Sequence, residues 1–347
     1  MNKIHTPRLE GLDLARCLAL IGMVLVNFRL AMGATTGGPP WLGRLLEALE
    51  GRSAATFVTL AGIGLALASR KLAYLDALSQ TARRAVILMA VGLVNFLVFP
   101  ADIIHYYAIY FIVGALCLPL ATRWLLLLIG AIAAVFTALL FAFDYGYGWN
   151  WNDLSYPDFW TPQGFARNLF FNGWHPVLPW AAFFLWGLVL ARLRMEDPQI
   201  QRRMIAGGSG AAMLAYALSA AVNAWYPSLG GLFGVTPLPP VPLYLLAGGG
   251  IATAVIGVCL WAAQRWHQAG WLQALLPAGR MTLTLYIAHI LLGMGVLEQI
   301  GWLQGRSMPQ AVLASLLYCA AALGFAWLWA QRVKRGPLET LMHRLIA

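Results

Sequence analysis

Charge is what this 347-residue chain has least of: Asp, Glu, Lys and Arg together make up 10% of it, against 61% hydrophobic residues. A soluble domain of this size clothes itself with roughly 25% charged residues, so a water-soluble fold is excluded and a bilayer is the solvent. Acidic residues are scarcer still, 13 against 23 Lys and Arg, for a net charge of +10. The basic residues are scattered over short loops with no stripe of interleaved base-stacking aromatics, which argues against nucleic acid as a partner. Cysteine is limited to Cys17, Cys117, Cys259 and Cys319, each in a different apolar stretch. They have neither disulfide nor metal spacing, so no metal is expected and they read as small buried apolar residues. No G-x-x-x-x-G-K-[ST] phosphate loop is present. The first apolar stretch lacks a small-residue cleavage site and is expected to be a first span and signal anchor.

What the chain has in abundance is apolar windows of about 20 residues, the length that crosses a bilayer as helix. They fall near 10–32, 53–69, 84–100, 102–121, 124–143, 175–192, 204–224, 241–263, 280–298 and 309–331. The expected fold is an all-α polytopic membrane bundle of about ten helices forming a single domain over 1–347. "PWLGRLLEALEG" after the first window places Trp41, Leu42, Leu45, Leu46 and Leu49 at helical spacing opposite Arg44, Glu47 and Glu50, an amphipathic segment near 41–50 expected to lie flat on the outer surface. "GPLETLMHRLIA" at 336–347 is expected to do the same on the inner surface. Gly62 with Gly64 and the run at 248–250 would let helices approach closely.

Lys3, Arg8, Arg70, Lys71, Arg83, Arg84, Arg192, Arg280, Lys334 and Arg335 collect on one side if the N-terminus is cytoplasmic. The positive-inside rule then puts both termini in the cytoplasm, with anionic lipid as a partner. The longest segment between spans, 144–176, falls outside and is dense in Trp, Tyr, Asn and Asp. It suits either an interfacial aromatic belt or the recognition of sugar rings.

Against this background the polar residues inside spans stand out, because a bilayer tolerates them only facing partners or a wet cavity. In "GLDLARCLALIGMVLVNF" (11–28), Arg16 and Asn27 are three turns apart within about 20°, and Asp13 lies within about 60° of Arg16. All three share one face, with Asp13 and Arg16 placed to form an ion pair one turn apart. His105 follows Asp102 by three residues in "PADIIHYYAIYF" at the outer mouth of the fourth span. His175 occupies the outer entrance of the sixth, and His289 lies about 13 Å into the membrane from Arg280. Imidazole accepts and returns a proton near neutral pH, and a carboxylate such as Asp102 would orient it.

The first-span block "RLEGLDLARCLALIGMVLVNF" resembles that of heparan-alpha-glucosaminide N-acetyltransferase and its bacterial YeiB-like relatives, members of the transmembrane acyltransferase superfamily. "GRSAATFVTLAGIGLALASR" (51–70), "ADIIHYYAIYF" (101–111), "NGWHPVLPWAAFFLWGLVLARL" (172–193), "GRMTLTLYIAHILL" (279–292) and "RGPLETLMHR" (335–344) are similar to successive blocks of the YeiB-like proteins. The resemblance implies an enzyme of the bacterial inner membrane that takes an acyl group, usually acetyl, from cytoplasmic acyl-CoA and passes it to an extracytoplasmic amine or hydroxyl, such as one on a sugar. It implies functional roles for Asn27 and His289, and a homodimer by likeness to the lysosomal enzyme. That enzyme carries its catalytic His in the loop after the first span, whereas "RLAMGATTGGPPWLGR" contains none.

Acyl transfer needs a base and a donor for the oxyanion. His105 with Asp102 suits the base and His175 is its rival; Asn27 suits the donor, and His289 a positioning role. Arg83, Arg84 and Arg280 are the candidates for the CoA phosphates. A small-molecule transporter with the same polar interior, or a non-catalytic membrane scaffold, remains the alternative.

Overall fold

Residues 9–346 are described by a computed structural model, and they form helices joined by short loops, with no sheet among the described residues. Lys3 and Arg8, expected on the cytoplasmic side, lie outside the described residues. Each expected span has a helix: α1 (Glu10–Ala31), α3 (Arg52–Ser69), α4 (Tyr74–Phe96), α5 (Ile104–Cys117), α6 (Thr122–Ala142), α8 (Val177–Leu190), α9 (Pro198–Trp225), α10 (Pro242–Arg265), α12 (Thr282–Ala288) continued by α13 (Gly295–Gln299), and α14 (Met308–Ala330). Eight stretches are long and apolar enough to cross a bilayer, or nine with the bent pair that ends in α8. The protein is therefore a multi-pass membrane protein.

The third expected span begins ten residues earlier than its apolar window, at Tyr74. Its first turns, with Asp76, Arg83 and Arg84, are too polar to register as hydrocarbon-spanning yet continue the helix without a break. α5 is the opposite case. At 14 residues it rises only about 21 Å, short of the roughly 30 Å hydrocarbon thickness. Most of it is buried, and so is its N-terminal flank at 101–103, which need not meet lipid.

Small residues set the closest helix contacts. A Cβ at Gly62 of α3 would collide with the Phe184 carbonyl of α8, and one at Gly187 with the Thr59 carbonyl, so those two backbones touch. Gly208 of α9 and Gly250 of α10 block each other in the same way. Without a hydrophobic drive between helices in lipid, such contact is what holds spans together. Among the long spans α6 and α9 are the least covered and form the periphery, whereas α1, α3 and α10 are well enclosed, and the shorter α5 and α8 are buried along most of their length.

Both described ends of the chain lie at one end of the bundle, called here the terminal end. The start of α1 packs on α11 (Gly270–Arg280), where a Cβ at Gly279 would overlap the Asp13 carbonyl. The tail helix α15 (Pro337–Ile346) packs on α4 and on the start of α12. Glu339 of α15 accepts hydrogen bonds from the Leu283 and Thr284 amides, 2.8 and 3.1 Å, and from the Thr284 hydroxyl, 2.5 Å, and so caps α12 from another helix. At the far end, α2 (Pro40–Leu49) buries Leu42 and Leu46. It runs into α3 through Gly51, whose φ of +73° suits glycine.

A candidate site between two opposed cavities

The far-end segment 144–176 folds back into the bundle. It contains α7 (Pro162–Arg167) and a π-helical turn, Asn168–Asn172, that meets α8 at a 49° bend. Asn172 organises it: its amide donates to the Tyr145 and Tyr147 carbonyls, both 2.8 Å, and its Oδ1 accepts from the Tyr156 hydroxyl, 2.8 Å. Burial pushes the Tyr145 and Tyr156 phenols up, so both remain protonated. Phe159 stacks on Phe96 at 3.7 Å between ring centroids and ties the segment to α4.

Beneath this cap lies a far-end cavity of about 300 Å³. Asn27, Arg29, Glu50, Trp174, His175 and Trp180 are in its wall, and Tyr286 is at its inner end. Arg29 and Glu50 pair at 3.5 Å. His175 Nδ1 and the indole nitrogens of Trp174 and Trp180 are buried without protein partners, three unsatisfied polar atoms on residues of this wall.

Asn27 meets His289 across the bundle, Nδ2 to Nε2 at 2.9 Å. The residue types fix the direction of this bond. His289 Nδ1 contacts the Tyr286 carbonyl, which can only accept, so Nδ1 carries the proton and Nε2 accepts from Asn27. The Asn27 amide is thereby oriented, with its second N–H still to be used. His289 opens a π-helical turn, His289–Met294, which adds a residue to the α-helical register.

A second cavity, about 530 Å³, opens at the terminal end. Arg16, Arg84, Arg280, Lys334 and Arg335 line it, along with Phe57, Tyr107 and Phe111 deeper in. Asp13 holds Arg16 at 2.9 Å, as the sequence spacing predicts, and also Arg280 at 3.2 Å. One carboxylate thus arranges two guanidinium groups at the mouth. Arg84 lies over the Phe111 ring at 5.4 Å. Tyr286 lines this cavity as well.

The structure sorts the sequence-predicted residues. Asn27, His175 and His289 gather at the far-end cavity, and Arg84 and Arg280 at the terminal-end cavity. Arg83 does not join them: it donates to the Ile346 carbonyl, 3.2 Å, and stays outside the cavity lining. His105 and Asp102 do meet, Nδ1 to Oδ2 at 3.4 Å, but both are fully buried and absent from either cavity wall. His105 is wedged between Tyr106, at 3.9 Å between centroids, and the edges of Phe96 and Phe159. Its Nε2 has no protein partner. Asp102 instead accepts from Asn95 Nδ2, 2.6 Å, and from the Ile104 amide, 2.7 Å, fixing the turn into α5.

Residues 8–220, more than half of the chain, match the family model described as heparan-alpha-glucosaminide N-acetyltransferase, catalytic. The chain belongs to this family. A second model, of a family of unknown function (DUF418), matches residues 189–347, in accord with the YeiB-like resemblance of the sequence. No curated protein matches the chain. Within the heparan-alpha-glucosaminide N-acetyltransferase family match lie Asn27, His175 and the arginines of α1 and α4, whereas Tyr286 and His289 come from the second region. Trp174, Trp180, Tyr286, Lys334 and Arg335 went unnoticed as site residues in the sequence. Tyr286 carried a usable signal: it precedes His289 by three residues, one helical turn.

Proposed function

We propose that the protein transfers an acyl group, acetyl in the first instance, from acyl-CoA in the terminal-end cavity to an amine or hydroxyl in the far-end cavity. The terminal end is taken as cytoplasmic on the positive-inside rule. The observation that carries this reading is that a basic cavity and a polar aromatic cavity enter from opposite ends and share one wall, beside the Asn27–His289 pair. Arg84, Lys334 and Arg335 suit the phosphates, and the apolar inner wall suits the pantetheine arm. His175, whose Nδ1 lacks a partner, takes the proton from the acceptor as its N or O bonds to the thioester carbon. The free N–H of Asn27 donates to the carbonyl oxygen as it becomes an oxyanion. The C–S bond then breaks, the CoA thiolate leaves into the terminal-end cavity and takes a proton from water there, and His175 gives its proton up to water in the far-end cavity before the next turnover. The unpartnered indole and imidazole nitrogens suit a hydroxylated acceptor such as a sugar.

The test is release of free CoA from labelled acetyl-CoA by the purified full-length protein. Release is expected to depend on added acceptor and to vanish in His175→Ala. Uptake of acceptor into vesicles with the thioester intact would replace this reading with transport.

A further inference from the structure

Tyr286 is the one residue, among those described, whose side faces both cavities. It is buried, 3% exposed. Its ring lies edge to face with His289, centroids 4.7 Å apart, and its hydroxyl oxygen accepts from the Ile103 amide at 3.4 Å. Ile103 belongs to the wall of the terminal-end cavity, and Ala101, two residues away, to that of the far-end cavity. The hydroxyl therefore sits on the seam between them. The Ile103 N–H occupies the phenol as an acceptor, and the phenol's own proton, beside the buried Asp102 carboxylate until a substrate carbonyl arrives, is what it has to donate.

A thioester threaded from the terminal end brings its carbonyl to this seam, and the acceptor approaches the same carbon from the other side. We infer that Tyr286 is a further catalytic residue, which closes the passage between the cavities and donates a hydrogen bond to the acyl carbonyl where the two substrates meet. This rests on the acyltransferase reading above. Tyr286 keeps its proton throughout. The acceptor proton goes to His175, the carbon–nitrogen or carbon–oxygen bond forms, and the carbon–sulfur bond breaks toward the terminal end. Asn27 and Tyr286 together hold the oxyanion from two directions.

Two variants test the two halves of this role in the full-length protein reconstituted in sealed vesicles. Tyr286→Phe keeps the ring and removes the donor: kcat should fall about 100-fold, with KM for acetyl-CoA within about twofold. A wild-type kcat would overturn the carbonyl role. Tyr286→Ala removes the closure, and its readout needs no turnover. A cysteine in the far-end wall, Ser53→Cys, should resist an impermeant methanethiosulfonate reagent supplied from the terminal end, and should react with it once Tyr286→Ala is added. A Ser53→Cys thiol that stays unlabelled in Tyr286→Ala would overturn the closure. If the wild-type protein turns over no acyl-CoA, the acyltransferase reading and the carbonyl role fall together, while the labelling still decides the closure.

Discussion

Asn27 and His289 are 262 positions apart in the chain and joined by one hydrogen bond of 2.9 Å. Bonds of this kind between spans contribute about 0.6–2 kcal/mol, too little to make the pair a mere fastener when the cost of burying two polar groups is weighed against it. The chemical use of the pair is orientation of the Asn27 amide. Asn27→Ala should therefore lower kcat roughly 100-fold or more and leave acetyl-CoA affinity unchanged. Steady-state kinetics beside equilibrium binding would check it.

The two candidate bases should separate cleanly. His175→Ala should abolish transfer at a smaller cost in melting temperature than His105→Ala, since it loses a ring contact with Trp180 at 4.6 Å but no Nδ1 hydrogen bond. His105→Ala should do the reverse. It empties a site enclosed by Phe96, Tyr106 and Phe159 and releases Asp102, a loss on the order of 2–4 kcal/mol. Transfer by the folded fraction should persist. Thermal unfolding in detergent, scored alongside activity, distinguishes the two.

Lys334→Glu with Arg335→Glu should raise KM for acetyl-CoA about tenfold or more, and added salt should diminish the difference from wild type. Arg83→Ala should leave KM alone, because Arg83 is turned to the Ile346 carbonyl. Comparing CoA with dephospho-CoA would show whether the lost affinity belongs to a phosphate.

Asp13→Asn removes the charge that gathers Arg16 and Arg280. With Asp13 only 1% exposed, stability should drop by about 3 kcal/mol, read as a lower melting temperature. The accompanying loss of acetyl-CoA binding should be recovered by no change at the far end.

The helices at the ten apolar windows were legible because hydrocarbon imposes a length and a composition that no other environment does. So was the Asp13–Arg16 pair, whose spacing is local. What hydropathy could not register was α11, an amphipathic helix with Pro277 inside it, and the polar first turns of α4. Both are stabilised by contact with other helices, which periodicity along one segment does not carry. His105 depends on a non-local contact in the same way. Asp102 three residues before it read as a general-base couple, and the pair does form, but whether it opens on a cavity depends on Phe159, which arrives from the loop after α6. Arg83 and Arg84 are neighbours in sequence and point apart because adjacent helical residues differ by about 100°. Composition could not tell which of them faces inward.

The joining of α1 to α11 and to the His289 turn also orders events during synthesis. α1 leaves the ribosome first, and the partner that completes its polar face, His289, is made 262 residues later, after almost every other span has entered the bilayer. Until then Asn27 has no such partner, and the nascent first helix is better served by the insertion machinery or by water at the interface than by lipid. A chain cut short after Arg265 would hold eight of the span helices, α1 to α10 without the surface helix α2 and the short α7, and still lack the groups that make α1 at home in the bilayer.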